Sequence, residues 1–338
     1  MSSRVRAATV ALCGFAAFAL AWPIATSAGA ENDTDAREAA RLVRDARDAT
    51  DDHDFTGIAI VTWATPSGKQ RAEVHVADGD GAVTVTGADG AVVDDGHRTY
   101  LHDDLGWTGL SVEPTVRQLP APDARWSLGV AGTRVVAGRP STVVEAVRTD
   151  GTPAQRLMVD DATGLVLARE VLGPDGRVER SLRFTSIDVD ERAPRSVTPP
   201  DDVHTPTAAK LTSVPDGYRA PTSAAGFELV TRSRHPDGVL LFYSDGVFTA
   251  SVFERQGELA WDALSSGGTD ADLADTRTRT YHEASSDVAV WEHGGLVYTC
   301  VTDAPSDVFA AMVRAVASDE RSAPEAVVDF VLGPFGWG

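Results

Sequence analysis

The residue types that could support catalysis or metal binding do not form a recognisable site in this sequence. His97 and His102 are the nearest pair among eight histidines, and five residues apart on a strand they point to opposite faces. The segment Phe242–Gly246 reads Phe-Tyr-Ser-Asp-Gly, but a nucleophile elbow needs a glycine where Phe242 stands, and the surrounding pattern is a hairpin. An exported hydrolase would need polar groups that converge in one pocket, which the sequence does not locate. We therefore predict that the protein is not an enzyme and uses no metal or cofactor.

The first thirty residues are typical of a secretory signal peptide. Arg4 and Arg6 precede an uncharged run over residues 7–21, and residues 28–30 (Ala-Gly-Ala) provide a small-residue cleavage site. A lipoprotein signal at Cys13 fits less well because a bulky residue precedes it. An uncleaved anchor is the alternative, although about 15 apolar residues are short for a span of about 20. We expect an exported protein in the periplasm or another extracytoplasmic space, membrane-associated if the anchor is retained.

The charge of the chain restricts its partners. Removal of residues 1–30 takes away only two arginines and changes the formal net charge from −20 to −22. Such a surface repels phosphate backbones and anionic lipid surfaces, so it argues against nucleic acid and favours a basic protein partner, with solubility alone as the alternative. Cys300 is the one cysteine after the leader, so no intramolecular disulfide is expected.

Hydrophobic periodicity predicts a helix followed by one large antiparallel sheet. Residues 34–50 carry small or apolar side chains at helical spacing, and a period of two begins at Phe55. From there to Val189, about ten alternating runs are separated by turns such as Asp-Gly and Pro-Asp-Gly, and the meander over 132–189 is the most regular part. Residues 107–126 lack alternation and hold three prolines, which predicts an irregular segment that covers the sheet. We predict that residues 31–189 form one half-barrel β domain.

A second domain is predicted after a linker. Residues 190–216 contain five prolines among charged, serine and threonine residues, a composition typical of an extended connection. Over residues 217–320, short alternating runs joined by tight turns precede a helix that begins at Pro305, which predicts a small α+β domain. The tail over 321–338 is apolar, and the sequence offers no evident partner for it.

Motifs in both halves resemble one known family. In the meander and the first strand the matching motifs are Asp54–Gly57, Val136–Pro140, Asp150-Gly151, Leu157–Asp160, Thr163–Leu165, Asp175-Gly176 and Phe184–Ile187. In the C-terminal part they are Val214–Tyr218, Leu241–Gly246 and Ser251–Glu254. In this order, along nearly the whole mature chain, they resemble the MucB/RseB family of exported regulators of an envelope-stress sigma factor. The linker, the apolar tail and residues 107–126 depart from the family pattern.

The resemblance implies both a fold and a function. The implied fold is α+β: a large curved antiparallel sheet with helical cover, a half-barrel like those of the lipoprotein carriers LolA and LppX, plus a smaller C-terminal α/β domain. The implied function is to bind the extracytoplasmic part of a membrane-anchored anti-sigma factor and to control its proteolysis until an envelope signal, which could be a lipid or lipoprotein, displaces it. The alternative is an exported lipid or lipoprotein carrier, which would not need the second domain.

Two sets of residues are predicted to form binding surfaces. We expect the protein partner on the C-terminal domain, at aromatic residues that flank its hairpin, with core packing as the alternative for these side chains. That set is Tyr243, Ser244, Asp245 and Phe253. We also expect an apolar ligand cavity in the half-barrel, because one helix cannot fill the interior of an open sheet, with an ordinary packed core as the alternative. Its candidate lining residues are Trp63, Tyr100, Trp107 and Trp126.

Overall fold

The structure consists of two antiparallel sheets, each accompanied by one helix among the described residues. It is a computed structural model that describes residues 34–79, 81–88, 90–95, 98–103, 106–111, 125–190, 197–200, 203, 209–235, 237–273 and 276–317. The predicted leader, most of the predicted linker and the apolar tail therefore lie outside the described residues. No helix within these ranges is long and apolar enough to cross a membrane.

The first sheet has eleven strands and follows an N-terminal helix. Helix α1 spans Thr34–Asp52, and its small residues at helical spacing, including Ala39, Val43 and Ala46, are buried. The strands are β1 Phe55–Thr65, β2 Gly68–Gly79, β3 Ala82–Gly87, β4 Gly90–Asp94, β5 Arg98–Asp103, β6 Gly106–Ser111, β7 Trp126–Val136, β8 Arg139–Arg148, β9 Pro153–Asp160, β10 Val166–Leu172 and β11 Val178–Val189.

Two meanders join to make this sheet. Strands β1 to β6 run outward in sequence order, strands β7 to β11 return, and β11 pairs with β1 in the middle. The outermost strands β6 and β7 are not paired with each other among the described residues, so the sheet is open. The predicted large antiparallel sheet and its meander over 132–189 are confirmed. Residues 106–111 form a regular strand, so the predicted irregular segment is wrong for that part, while residues 112–124 lie outside the described ranges.

The second sheet belongs to the C-terminal domain. Its strands are β12 Ala209–Lys210, β13 Ser223–Ala224, β14 Phe227–His235, β15 Gly238–Ser244, β16 Thr249–Gln256, β17 Thr269–Leu273, β18 Thr276–His282, β19 Asp287–His293 and β20 Leu296–Thr302. A 3-10 turn lies at Trp261–Ala263, and helix α2 spans Ser306–Ala317. Strand β12 lies within the predicted linker and pairs with β14, so the second sheet begins earlier in the chain than the proline content indicates.

The two sheets share one continuous core. A single cluster of buried apolar side chains includes Leu182 and Phe184 of the first sheet, Tyr243 and Phe248 of the second, and Met312 of α2. A smaller cluster beneath the loop around the 3-10 turn covers the opposite face of β18 to β20. The domains are therefore packed against each other rather than connected by the linker alone.

Candidate functional site

The hairpin predicted to contact a partner is largely buried. Tyr243, Ser244 and Asp245 are 0 %, 0 % and 2 % exposed, so the expectation that this turn presents an exposed aromatic residue is wrong for Tyr243. The Tyr243 hydroxyl donates to the carbonyl of Pro221 at 3.0 Å, and Ser244 Oγ donates to the carbonyl of Phe248 at 2.9 Å. The physical reason is register: Tyr243 pairs with Ala250, and this row of β15 and β16 faces the shared core.

Phe253 lies on the other face of the same sheet. It pairs with Leu240 and Thr299, and Ser251 pairs with Phe242 and Val301, so these side chains share one face. Leu240, Phe242, Phe253 and Val301 are only partly buried, and we call them the outer patch. The loop with Leu259, Trp261 and Leu264 covers the neighbouring half of this face, whereas the aromatic contact to Phe253 comes from His235, with ring centroids 5.3 Å apart.

The four aromatic residues predicted to line a cavity lie on two faces of the first sheet. Trp63 is in register with Arg180 and, through paired strands, with Val171, Gln155, Ala146 and Leu128. Trp126 lies two residues before Leu128 on β7, so its side chain is on the same face of the sheet. Tyr100 pairs with Val93, and Trp107 pairs with His102, and both pairs fall on the opposite face. One cavity cannot be lined by all four residues, and an apolar cavity stays a prediction.

The face that carries Trp63 and Trp126 also contacts the C-terminal domain, and we call it the junction face. Arg169 on this face is 2 % exposed and donates from Nη2 to Asp303 Oδ2 at 2.6 Å. Asp303 Oδ1 accepts the backbone N–H of Thr249 at 2.8 Å. Gln155, with its amide oxygen turned toward Arg169, accepts from the guanidinium at 2.7 and 2.9 Å. This buried ion pair between domains is therefore supported by hydrogen bonds on both sides.

A second arginine on the junction face makes a similar contact. Arg180 Nη1 lies 3.1 Å from Asp287 Oδ2, and its Nη2 donates to the carbonyl of Ala304. The other oxygen of Asp287 is 2.7 Å from His282 Nδ1, and this hydrogen bond raises the pKa of His282. We refer to the Arg169–Asp303 and Arg180–Asp287 pairs together as the arginine node.

A polar cleft opens beside the arginine node. Its volume is about 190 Å³, and it is lined by both domains, including Thr65, Glu179, Arg180, His282 and Ser306. Glu179 accepts the Ser306 backbone N–H at 2.8 Å and the Ser306 hydroxyl at 2.7 Å, so a residue of the first domain caps helix α2. The charged lining does not suit an acyl chain. In the part of the chain that the structure describes, no three His, Cys, Asp or Glu residues are grouped to hold a metal ion.

A separate contact joins the start of β7 to the hairpin of the C-terminal domain. Arg125 donates to the carbonyls of Ala225, at 2.9 Å, and Gly226. Its Nη2 is 3.7 Å from Asp245 Oδ2. The ring of Trp126 meets that of Phe248 edge to face, with centroids 5.6 Å apart. We call this contact the clasp.

The residues of the arginine node were not predicted as functional from the sequence. The sequence does contain one indication of the node. Arg169 lies two residues from both Leu167 and Val171, so its charged side chain shares the inward face of β10 with theirs. A buried arginine needs an acidic partner, which makes such a position informative. The identity of the partner was not available, because Asp303 lies 134 residues further along the chain.

Comparison with known families agrees with this architecture. Residues 83–202 match the model of the MucB/RseB N-terminal domain. Over these residues the chain carries a MucB/RseB N-terminal domain. The matched range includes Arg125, Trp126, Arg169 and Arg180, so the first-domain residues of the node and the clasp all lie within it.

Solved structures similar to this chain include two of MucB. A crystal structure of MucB is 20% identical, covers 83% of this chain and 97% of its own, and has a TM-score of 0.50. The complex of MucA and MucB from Pseudomonas aeruginosa is 20% identical, covers 82% of this chain and 96% of its own, and has a TM-score of 0.48. A LolA superfamily protein from Nitrosomonas europaea is 9% identical over 78% of this chain and 90% of its own, at a TM-score of 0.21. No curated protein matches the chain.

Proposed function

We propose that this protein is an exported regulator that binds the extracytoplasmic part of a membrane-anchored anti-sigma factor and controls its proteolysis. The match of residues 83–202 to the MucB/RseB N-terminal domain supports a regulatory binding protein rather than an enzyme or a simple carrier. The observation that carries the proposal is the outer patch, a partly exposed apolar surface on a second domain that a carrier would not require. The partner of MucB in its complex, MucA, indicates the kind of protein to test first.

The outer patch has the composition of a binding surface. Two phenylalanines, Phe242 and Phe253, lie beside Leu240 and Val301 on paired strands, so little backbone entropy is lost when a partner covers them. Truncation of an aromatic residue at the centre of an interface typically weakens the binding free energy by about 2 kcal/mol or more. Of the four residues predicted for partner binding, Phe253 keeps that role in the proposal. Tyr243, Ser244 and Asp245 are assigned to the domain junction instead, because they are buried.

Titration calorimetry with the full mature chain and the extracytoplasmic domain of the cognate anti-sigma factor tests the proposal. We expect Phe253→Ala to weaken binding by about 2 kcal/mol or more, roughly thirtyfold in Kd. Val135→Ala is the matched control, because Val135 is 63 % exposed on the first domain and should not contact the partner. Unchanged affinity of a correctly folded Phe253→Ala variant would refute the assignment of the outer patch.

The acidic surface adds a kinetic expectation. With a net charge of −20 for the whole chain, long-range attraction should raise the encounter rate with a basic partner, and salt screens it over about 8 Å under physiological conditions. In stopped-flow association from low to high salt, the on-rate should fall while the off-rate changes little. An on-rate that is flat across the range would show that the acidic surface plays no part in recognition.

A further inference from the structure

Asp245 occupies an unusual position in the clasp, because it is a buried carboxylate with incomplete pairing. Its Oδ1 accepts the backbone N–H groups of Val247 and Phe248 at 2.9 and 2.7 Å. Its Oδ2 has no exposed surface, and the Arg125 nitrogen nearest to it lies 3.7 Å away, beyond hydrogen-bonding distance. The charge of this carboxylate is therefore removed from water without a directly bonded cation.

The first domain completes the burial of Asp245. Among the described residues, Arg125 is the charged side chain that faces it. The Trp126 indole, whose ring packs against Phe248, also favours the charged form of the carboxylate. The guanidinium of Arg125 lies against Gly226, where a Cβ atom would come within 1.7 Å of Nη1, so a side chain at this position would displace the guanidinium. Gly226 also has a φ of 84°, which favours glycine. The carbonyls of Ala225 and Gly226 accept from Arg125 and hold this segment of the first domain against the C-terminal domain.

We propose that the clasp is a proton-sensitive latch between the two domains, in which protonation of Asp245 favours the closed arrangement. The sign follows from burial. Closure removes Asp245 from water and disfavours its charged form, so the closed state binds a proton more tightly than a state in which the carboxylate is solvated. By linkage, any state that binds the proton more tightly gains stability as the pH falls.

The size of the effect follows from the proton affinity. Burial raises the pKa of Asp245 from its ordinary value of 3.8 to about 6. If release of the clasp restores the ordinary value, the ratio of closed to open molecules should increase roughly tenfold between pH 8 and pH 5. His282 also favours the compact state in acid, because its pKa is raised by its hydrogen bond to Asp287, so the share of Asp245 must be isolated by substitution.

The latch is tested by NMR titration of the Asp245 carboxyl carbon in the full mature chain, without any partner. Trp126→Ala exposes the Asp245 carboxylate to water from the first-domain side, and we expect its proton affinity to fall by at least roughly tenfold relative to Trp126→Phe. Trp126→Phe is the matched control, because it keeps an apolar ring against Phe248. It also removes the indole N–H that favours the charged carboxylate, so its proton affinity should be no lower than that of the wild type. An unchanged titration in a folded Trp126→Ala variant would show that the hairpin alone buries Asp245, and would overturn the latch.

A second measurement covers the case in which Trp126→Ala does not fold. Asp245→Asn mimics the protonated carboxyl and keeps an oxygen for the N–H groups of Val247 and Phe248. Spin labels at Ser127→Cys and Glu228→Cys, both exposed positions, report the distance across the clasp, and Cys300 will not compete for label because it is fully buried. In the labelled protein with Asp245 intact, we expect the fraction of molecules that show the closed distance to increase from pH 8 to pH 5. With Asp245→Asn the distribution should lose most of that pH dependence. The proposal is wrong if the labelled protein with Asp245 intact shows no pH dependence. It is also wrong if the labelled Asp245→Asn variant keeps the full pH dependence.

Discussion

The two contacts between the domains use the same residue types in different ways. In the arginine node, the guanidinium groups of Arg169 and Arg180 reach their carboxylates at 2.6 and 3.1 Å. In the clasp, Arg125 stays 3.7 Å from Asp245 and gives its hydrogen bonds to backbone carbonyls instead. Direct pairing favours the charged form of a carboxylate, whereas burial without it favours the neutral form. The node should therefore hold the domains together at any physiological pH, and the clasp should respond to protons.

The largest expected effect concerns the node. Arg169→Met leaves Asp303 buried without its cation, and we expect the free energy of unfolding to fall by about 3–5 kcal/mol. The double variant Arg169→Met with Asp303→Asn should lose less than the sum of the single variants, because no unpaired charge remains and asparagine can still accept from Thr249. Chemical denaturation measures this cycle. A loss below about 0.5 kcal/mol for Arg169→Met would remove the distinction between node and clasp.

A buried carboxylate away from the junction tests the same rule. Glu254 is 0 % exposed, accepts the backbone N–H of Arg219 at 2.7 Å, and has its pKa raised by burial to about 7. The folded state therefore binds this proton more tightly than the unfolded state. Stability should increase as the pH falls from 8 through 7, and the gain is complete near the ordinary value of 4.5.

Substitution of Glu254 isolates its share of the pH dependence. Between pH 8 and pH 5.5 this group should add on the order of 2 kcal/mol of stability, which Glu254→Gln should remove. Carboxylates with lowered pKa values, such as Asp160 beside Arg139, act in the opposite direction only at more acidic pH. Denaturation curves at both pH values for the wild type and the variant provide the measurement. Equal pH dependence in the two proteins would contradict the assignment.

The smallest effect is expected at the rim of the junction. Glu179 caps helix α2 from the other domain, and its bonds to Ser306 are exposed to solvent. We expect Glu179→Ala to cost about 1 kcal/mol, the usual loss for a helix cap. Glu228→Ala, at an exposed strand position, is the control and should lie within about 0.5 kcal/mol of the wild type. A loss as large as that of Arg169→Met would show that the rim, rather than the node, holds the domains.

The sequence predicted the parts of this fold that depend on local chemistry. Turns such as Gly151, Gly164 and Gly176 have positive φ angles of 86°, 79° and 73°, and the strands between them pair as neighbours. The three prolines after residue 111 predict irregular cover over the whole of residues 107–126, whereas residues 107–111 belong to strand β6. Strand β12 could not be predicted from the sequence, because two residues are too few to show an alternating pattern of apolar and polar side chains.

The candidate sites were less accessible to sequence reasoning, for a geometric reason. Whether Tyr243 or Phe253 faces the core depends on which side of the second sheet the first domain covers, and no local pattern reports that. The same limit applies to Trp63 and Tyr100, whose opposite faces follow from the register of five strands. Ion pairs such as Arg180 with Asp287 join residues more than a hundred positions apart, so only the fold reveals them.

The most direct test of the central claim, that this protein controls proteolysis, is the rate at which a protease cleaves the extracytoplasmic domain of the anti-sigma factor. We predict that the mature protein lowers this rate in proportion to the fraction of anti-sigma factor that it binds. Phe253→Ala should restore cleavage at concentrations where the wild type protects, and Val135→Ala should protect as the wild type does. Cleavage at the unprotected rate while titration shows the partner fully bound would contradict the proposal that this protein controls proteolysis.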